Sequence, residues 1–289
     1  MVNNGQTQEL SLSTSRPTAG SLELLEQLML RAGFRLEDLT QSKDNGNVRL
    51  SVYLKSRPLA QRYQKKLESL SLQDVSVSVR TLYKTQWRDK WKKDFHPFAL
   101  TGKIDIVPVW RKKDYRPTGR QPIYLDTISA FGTGLHETTR FLAQLIEDFG
   151  KRAESFLDIG TGTGILAFVA VKTGAKKVWA VDIDKECIAV VKNNASVNQI
   201  ELDRIEALDI KKLKTKERFD FAAANLTTID LINLHRQIIS LVKPGGYLAV
   251  SGISLENFPL FERSFKKLPL QWIEVKKGKE WAAVLFRRK

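Results

Sequence analysis

The sequence predicts an α/β protein with two domains, a small domain of mixed strands and helices followed by a larger one built on a mainly parallel sheet. The chain has 289 residues, close to the ~250–300 residues at which single hydrophobic cores stop growing. The first 82 residues show strand-like and helix-like patterns in the order β-α-β-β-α-β. From about residue 137, apolar strand patterns alternate with amphipathic helical patterns, which is typical of a parallel sheet covered by helices on both faces.

Residues 1–82 are predicted to form a ferredoxin-like domain, because that fold has this order of elements. A weak alternation marks Gln8–Leu12, helical spacing follows Ser21, and Pro58 begins a second helix. The remaining strands are predicted at Phe34–Leu39, Val48–Leu54 and Val75–Val79. The segment contains no histidine, no cysteine and no cluster of carboxylates, so we predict a recognition or structural role for it.

Residues 83–122 are predicted to be a basic linker. They hold 11 basic and 4 acidic residues, which is almost half of the positive excess of the whole chain. Trp87, Trp91 and Phe95 recur every four residues, so they line one face of a short helix. That face either packs on a neighbouring domain or forms a platform for a substrate.

Residues 123–289 are predicted to form the larger domain. The expected strands are Phe156–Ile159, Val178–Asp182, Phe219–Ala224 and Tyr247–Gly252, and the expected helices are Arg140–Phe149, Ile165–Thr173, Lys185–Val197 and Asp230–Leu241. The chain ends differently, because two strand patterns, Leu270–Lys276 and Glu280–Phe286, are separated by a turn at Gly278. We therefore predict a mostly parallel, Rossmann-like sheet with an antiparallel terminal hairpin.

A glycine-rich loop follows the first strand of that sheet. It reads Asp-Ile-Gly-Thr-Gly-Thr-Gly over residues 158–164, and glycine is needed where the backbone turns sharply and touches a ligand. We predict that Gly160 and Gly162 contact a cofactor. A dinucleotide fingerprint would place its third glycine at position 165, where this chain has Ile165. The spacing therefore disfavours a nicotinamide or flavin cofactor.

A carboxylate ends the second strand of the sheet. Asp182 lies 22 residues beyond Gly160, where it can accept two hydrogen bonds from a ribose diol and would repel a 2′-phosphate. Asp184, two residues later, is predicted to be a helix N-cap. The glycine loop and Asp182 together predict an adenosine-type ligand without a pyrophosphate, and S-adenosylmethionine fits that description.

An amide follows the third strand. Asn225 comes after the buried run Phe219–Ala224, and ligands of open α/β sheets bind at the carboxyl ends of the strands. We therefore expect Asn225 to lie beside Gly160 and Asp182, to contact the cofactor and to act as the catalytic residue that orients an attacking amine. The alternative is an asparagine that only forms the turn after the strand.

A second loop with glycines lies before the helix predicted at Arg140–Phe149. Phe131 is predicted to cap the bound cofactor, and Thr138 or Thr139 to offer hydroxyl and backbone N–H groups to a carboxylate. His136 is interpreted either as a general base or as a residue that orders the loop. The three histidines of the chain are far apart in sequence, and we predict no metal site.

Several segments together resemble the PrmA family, bacterial methyltransferases that act on the eleventh protein of the large ribosomal subunit. The segments are the loop at 130–140, the glycine loop, Asp182, Asn225 with its two neighbours, the Lys-Pro-Gly-Gly run at 243–246 and the Trp-Arg-Asp-Lys-Trp run at 87–91. The resemblance covers essentially the whole chain. It implies a ferredoxin-like substrate-recognition domain, a linker and a class I methyltransferase domain.

The resemblance also implies an activity, that of an S-adenosylmethionine-dependent protein N-methyltransferase. The acceptors would be lysine side chains or the N-terminal α-amine of a large-subunit ribosomal protein. By position, the cofactor contacts would fall on Thr139, Gly160, Asp182 and Asn225. Two alternatives stay open: methylation of another protein, an RNA or a small amine, and a non-catalytic role in ribosome assembly.

The composition bears on partners and location. The chain has 47 Lys plus Arg against 32 Asp plus Glu, a net charge of +15, which either attracts nucleic acid or is a solvated basic surface. We predict at most a weak contact with ribosomal RNA. The sequence contains no membrane-spanning apolar run and no secretory signal, and Cys187 is its only cysteine. We therefore predict a cytoplasmic monomer with no membrane partner.

Overall fold

The computed structural model describes residues 6–14, 21–34, 39–44, 47–54, 56–70, 74–83, 95–126, 133–213 and 215–289. The chain divides into two compact units, Met1–Asp94 and Phe95–Lys289. The helix predicted around Trp87 and Trp91 and the loop that contains Phe131 lie outside the described residues. Within the described ranges, no helix combines the length and the apolar character that crossing a bilayer requires.

The first unit has the predicted β-α-β-β-α-β order. Its elements are β1 (Gln6–Thr14), α1 (Ser21–Ala32), β2 (Thr40–Asp44), β3 (Asn47–Leu54), α2 (Arg57–Leu70) and β4 (Val75–Tyr83). The strands form an antiparallel sheet in the order β2-β3-β1-β4. Leu10 and Leu12 of β1 share one core with Leu25 and Met29 of α1 and Leu67 of α2. The ferredoxin-like prediction is therefore confirmed.

The second strand of this unit begins later than the sequence predicted. Gly33, with a φ of +103°, ends α1, and the N–H of Phe34 donates to the carbonyl oxygen of Met29 over 3.1 Å. Phe34 is buried against Tyr63, with 4.4 Å between the ring centroids. Phe34 closes the end of the helix and does not start a strand, and β2 begins at Thr40; residues 35–38 of the predicted strand lie outside the described residues.

The second unit contains two sheets. The small sheet has the order β5-β6-β7, with β5 (Phe98–Ala99), β6 (Ile104–Pro108) and β7 (Gln121–Leu125). The remaining elements are α3 (Glu137–Phe149), β8 (Ser155–Ile159), α4 (Ile165–Thr173), β9 (Lys177–Asp182), α5 (Lys185–Asn198), β10 (Arg204–Ala207), β11 (Phe219–Asn225), α6 (Thr228–Ser240), β12 (Val242–Ser254), α7 (Phe258–Phe265), β13 (Leu270–Lys277) and β14 (Trp281–Arg288).

The large sheet has the order β10-β9-β8-β11-β12-β14-β13. Neighbouring strands are parallel, except that β14 runs antiparallel to both β12 and β13. This arrangement confirms the predicted mostly parallel sheet with an antiparallel terminal hairpin. The small strand β10 and the eight-residue helix α7 are additional elements that the sequence patterns did not indicate.

Helices cover both faces of the large sheet. On one face, Phe156 and Phe221 stack with 5.5 Å between ring centroids, in the same core as α3 and α4. On the other face, Phe265 of α7 stacks on Phe286 of β14 at 5.6 Å. The central strand β8 is buried along its whole length. Packing on both sides therefore fixes the position at which the central strands end and the loops begin.

Part of the predicted linker belongs to the second unit. Leu100, Ile104 and Ile106 are at most 2% exposed and lie in the same core as α3 and α4. Tyr115 donates a hydrogen bond of 2.8 Å to the buried Asp105 of β6. The predicted boundaries at 82 and 122 therefore differ from the division after residue 94.

Candidate active site

Three of the predicted site residues lie at one edge of the large sheet. In the sheet, β8 lies between β9 and β11. Ile159 of β8 pairs with Val181 of β9, and Ala224 of β11 pairs with Ile159. Gly160, Asp182 and Asn225 are the next residues along these three parallel strands. The structure thus brings the glycine loop, the carboxylate and the amide together at the carboxyl ends of adjacent strands.

The glycine loop has a backbone that other residues rarely adopt. Gly160 and Gly162 have φ values of +72° and +54°, in the left-handed region where a Cβ is disfavoured. A Cβ built on Gly160 would lie 2.7 Å from Cδ2 of Leu226. The N–H of Gly160 donates to the carbonyl oxygen of Val181 over 2.9 Å. The loop is therefore held against the end of β9, with Leu226 lying over its first glycine.

Asp182 is positioned by backbone groups on both of its oxygens. Its Oδ2 accepts a hydrogen bond from the N–H of Gly162 at 2.9 Å, and its Oδ1 accepts one from the N–H of Asp184 at 3.0 Å. The side chain is half-buried. The two carboxylate oxygens can accept about four hydrogen bonds in total; the backbone N–H groups use two of them, and the thiol of Cys187, a weak donor, also hydrogen-bonds to Asp182. This arrangement suits a ribose diol, which offers two O–H donors.

Asp158, at the end of β8, is a residue to which the sequence interpretation assigned no role. It is fully buried, and its Oδ2 accepts hydrogen bonds from the Thr161 hydroxyl at 2.7 Å and from the N–H of Ala167 at 3.2 Å. Among the described residues its Oδ1 has no partner. Burial raises the pKa of Asp158 to about 7, and the charge of Asp182 adds to the increase. The sequence contained a signal for this residue, because Asp158 lies two positions before the first glycine of the loop.

Asn225 is oriented by two buried threonines of α3. Its Nδ2 donates to Oγ1 of Thr138 over 3.2 Å and to Oγ1 of Thr139 over 3.3 Å. Both threonines are at most 2% exposed. Because the two N–H groups of the amide are used by α3, its Oδ1 remains as an acceptor. The structure therefore places Thr138, Thr139 and Asn225 together, as the sequence analysis expected for one crevice.

His136 is the N-cap residue of α3. Its Nδ1 accepts a hydrogen bond from the N–H of Thr138 at 3.4 Å and lies 2.8 Å from Oγ1 of the same residue. The edge of its ring contacts Trp281, with 5.2 Å between centroids. These contacts match the interpretation of His136 as a residue that orders the loop. The described part of the chain contains no group of three or more metal-binding side chains.

A buried amide on α5 connects the glycine loop to β7. Nδ2 of Asn194 donates to the carbonyl oxygen of Thr163 at 3.0 Å, and its Oδ1 accepts from the N–H of Asp126 at 2.8 Å. The side chain is 0% exposed. Sequence reasoning missed this residue, although a polar side chain on the buried face of a helix is a usable signal. Asn194 thus holds the glycine loop, which is predicted to contact the cofactor.

Comparisons with known proteins place the chain in a family. A sequence model of the family described as ribosomal protein L11 methyltransferase (PrmA) matches residues 17–289. The ribosomal protein L11 methyltransferase of Caldicellulosiruptor saccharolyticus is 34% identical over 231 residues, which is 80% of this chain and 75% of that protein. The one from Sorangium cellulosum is 36% identical over 222 residues, 70% of each chain.

A solved structure agrees with these sequence matches. The crystal structure of the ribosomal protein L11 methylase from Lactobacillus delbrueckii subsp. bulgaricus superposes with a TM-score of 0.62 and 32% identity, covering 68% of this chain and all of that one. The family match includes the glycine loop, Asp182 and Asn225, and it continues to the last strand. On this basis the chain belongs to the ribosomal protein L11 methyltransferase family.

Proposed function

We propose that this protein transfers methyl groups from S-adenosylmethionine to amino groups of ribosomal protein L11. Membership of the family supports the reaction and the substrate. The observation that carries the proposal is the fixed amide of Asn225, whose free oxygen lies at the same sheet edge as the glycine loop and Asp182. At that edge, Oδ1 of Asn225 can accept a hydrogen bond from an amine, next to the carboxylate of Asp182 that would bind the nucleoside.

The residues of the crevice fit the cofactor. Asp182 would hold the ribose hydroxyls, and the left-handed backbone of Gly160 and Gly162 would turn the loop at the ligand. The buried, unpartnered Oδ1 of Asp158 calls for a donor, which the amino group of the methionine moiety can supply directly or through a water molecule. When bound, S-adenosylmethionine supplies an electrophilic methyl group on a cationic sulfur. Thr139 and Phe131 are proposed as further contacts of the cofactor.

Asn225 would align the acceptor amine. A lysine amine has a pKa near ~10.4 in water and attacks only after it has lost a proton. Desolvation and a neighbouring positive charge both lower the pKa of an amine, so the proton can leave to solvent before attack. Oδ1 of Asn225 then accepts the remaining N–H and orients the lone pair. This orientation would let the amine receive the methyl group that the bound cofactor supplies, with the sulfur keeping the electron pair of the carbon–sulfur bond. Most of the rate enhancement would come from this positioning.

The first unit and the basic segment are proposed to hold the protein substrate. The first unit is a ferredoxin-like sheet without histidine or cysteine, and residues 83–122 carry a strong positive charge. The proposed acceptors are lysine side chains, the N-terminal α-amine, or both. A weak contact with ribosomal RNA, a monomeric state and a cytoplasmic location complete the proposal. The net charge of +15 and the single cysteine support the first and the last of these.

Transfer of a tritiated methyl group tests the proposal. The enzyme is incubated with labelled S-adenosylmethionine and either purified ribosomal protein L11 or protein-free ribosomal RNA. We expect label in the protein, on peptides that contain lysine or the N-terminus, and none in the RNA. Asn225→Ala serves as the matched inactive control. Label in the RNA, or equal label with the parent and the variant, would contradict the proposed activity.

A further inference from the structure

A cavity of about 320 Å³ lies at the end of the large sheet opposite to the crevice. It is formed where β11 and β12 begin, whereas the candidate active site lies where the parallel strands end. Its lining includes two aromatic residues and four charged residues: Phe149, Tyr247, Arg152, Lys243, Arg287 and Asp220. Nothing in the proposed methyl transfer uses this cavity.

The cavity has an excess of positive charge. Its only lining carboxylate, Asp220, forms an ion pair with Lys243 at 2.8 Å and accepts hydrogen bonds from the N–H and hydroxyl of Ser155 at 2.9 and 2.7 Å. Arg152 and Arg287 are exposed, and neither forms an ion pair within the described residues. Two guanidinium groups are therefore available to an anion, because the carboxylate is already neutralised by the lysine.

The shape of the cavity adds to this charge. Nε of Arg287 donates to the carbonyl oxygen of Gly245 over 3.1 Å, which orients the planar guanidinium at the cavity wall. Phe149 and Tyr247 are half-buried, with 5.8 Å between their ring centroids. Arginine binds phosphate through two parallel hydrogen bonds, and aromatic faces stack on unpaired bases. An acidic peptide would use the guanidinium groups but not the rings.

We propose that this cavity binds a nucleotide of a single-stranded RNA, with the phosphate at Arg152 and Arg287 and the base against Phe149 and Tyr247. The inference rests on the RNA contact proposed above and assigns it a location. Because the cavity and the crevice lie at opposite ends of the strands, RNA bound here leaves the cofactor and the acceptor amine accessible. RNA binding in the cavity and methyl transfer in the crevice are therefore compatible.

Fluorescence anisotropy with a labelled RNA of about 12 nucleotides tests the site. The full-length parent is compared with Arg152→Gln/Arg287→Gln and with the matched control Lys266→Gln/Lys267→Gln, which removes the same charge from exposed positions at the end of α7. We expect the arginine variant to raise the Kd about tenfold and to reduce the dependence of log K on log salt by about 1. The lysine variant should change the Kd by about twofold or less.

Three results would overturn the inference. Equal weakening by both double variants would show diffuse attraction to the charged surface. Tight binding of a polyglutamate peptide that the arginine variant also loses would indicate an acidic peptide as the ligand. Inhibition of methyl transfer by RNA in competition with the cofactor would place the RNA in the crevice. Arg152→Gln alone provides a second variant if the double variant is unstable, since the exposed side chain of Arg152 forms no hydrogen bond or ion pair with the described residues.

Methyl transfer to ribosomal protein L11 is measured in parallel on all variants. The arginine variant is expected to keep the rate of the parent with the free protein substrate. A loss of RNA binding with unchanged methylation supports the RNA site. Absence of methylation by the parent would instead concern the proposed activity and not this cavity.

Discussion

The carboxylate of Asp182 is held by the N–H groups of Gly162 and Asp184. Preorganisation of this kind reduces the ordering cost of binding, because the acceptor does not have to find its position. The amide of Asn225 is fixed in the same way by Thr138 and Thr139. At the scale of single residues, the site is therefore a set of neutral or acidic groups oriented by their neighbours.

Replacing Asp182 with Ala should weaken cofactor binding by about 10- to 100-fold, since a hydrogen-bonded charged acceptor contributes about 1.5–3 kcal/mol. Calorimetric titration with S-adenosylmethionine measures the change. Asp184→Ala is the matched control, because Asp184 caps α5 with its own side chain, and its effect on affinity should be much smaller. An affinity of Asp182→Ala equal to that of the parent would remove this residue from the site.

Replacing Asn225 with Ala should lower turnover by about 100-fold, the loss typical of a group that orients reacting atoms, and should affect cofactor affinity less. Single-turnover assays separate the two quantities. Thr138→Val keeps the shape of the side chain but removes the acceptor of the Asn225 N–H. We expect it to lower turnover by about tenfold. A defect of either variant confined to cofactor affinity would argue against this orienting role.

Asp158 should make the stability of the cofactor-free protein depend on pH. Its pKa is raised from 3.8 to about 7 in the folded protein, so the native state holds the proton longer than the unfolded state does. The associated stability is complete below pH ~4 and is lost as the pH rises through 7. Asp158→Asn keeps an acceptor for Thr161 and Ala167 and does not ionise.

Urea unfolding of the parent and of Asp158→Asn at pH 5 and pH 8 measures this effect. The stability of the variant relative to the parent should rise by about 2–3 kcal/mol between the two pH values, because two of the roughly three pKa units of the shift lie between pH 5 and pH 7. The comparison with the variant removes the contribution of the other titrating groups. An equal difference at both pH values would show that Asp158 keeps an ordinary pKa.

At the scale of elements, α5 and β7 support the site from outside it. Asn198 of α5 accepts from the N–H of Tyr124 at 2.8 Å and donates to its carbonyl oxygen at 2.6 Å. One turn earlier, Asn194 connects the end of β7 to Thr163 in the glycine loop. Two amides on one face of α5 therefore fix the position of β7 along the helix. Apolar contacts are non-directional and would not fix it by themselves.

Asn194→Ala should destabilise the protein by about 1–3 kcal/mol, because it removes two side-chain hydrogen bonds from a fully buried position. We also expect weaker binding of the cofactor, since the carbonyl of Thr163 belongs to the glycine loop. Asn193→Ala is the matched control on the same helix, as Asn193 is exposed. Denaturant unfolding and cofactor titration provide the measurements. Equal stability of the two variants would show that Asn194 is dispensable.

The helices and strands were predictable where the apolar residues recur with a single period, either that of a helix or that of a strand. Helix α4 begins and ends at Ile165 and Thr173 as predicted, because a run of apolar residues follows the glycine loop and Gly174 ends it. Strand β10 was missed because its alternation of polar and apolar residues covers only four positions, Arg204–Ala207, and all four side chains are partly exposed. Phe34 was assigned to a strand although it closes α1. An isolated apolar residue does not reveal which neighbour will bury it.

At the scale of the whole molecule, the two units are proposed to divide the work. Phe95–Lys289 has its own core and contains every described residue of the crevice. Met1–Asp94 has a separate core. Because each unit has its own core, a deletion can remove the proposed substrate-recognition unit and leave the unit proposed to bind the cofactor intact.

Deleting residues 1–94 should abolish methylation of ribosomal protein L11 while leaving the affinity for S-adenosylmethionine within about twofold of the parent. The reason is that the cofactor residues keep their core whereas the proposed recognition surface is lost. Titration with the cofactor checks that the truncated chain is folded. Unchanged turnover of the truncated enzyme would refute the proposed division of labour.

The amino-acid sequence by itself determined the fold class, most elements of both units and the position of Gly160, Asp182 and Asn225 at the ends of three parallel strands. Those features follow from local periodicity and from the rule that parallel strands end on one side of a sheet. Only the tertiary structure decided that the threonines of α3 orient Asn225, that Asp158 is buried with one unpartnered oxygen, and that Asn194 supports the glycine loop. These are contacts between residues distant in the chain, and burial and hydrogen bonding at such positions depend on how the elements pack.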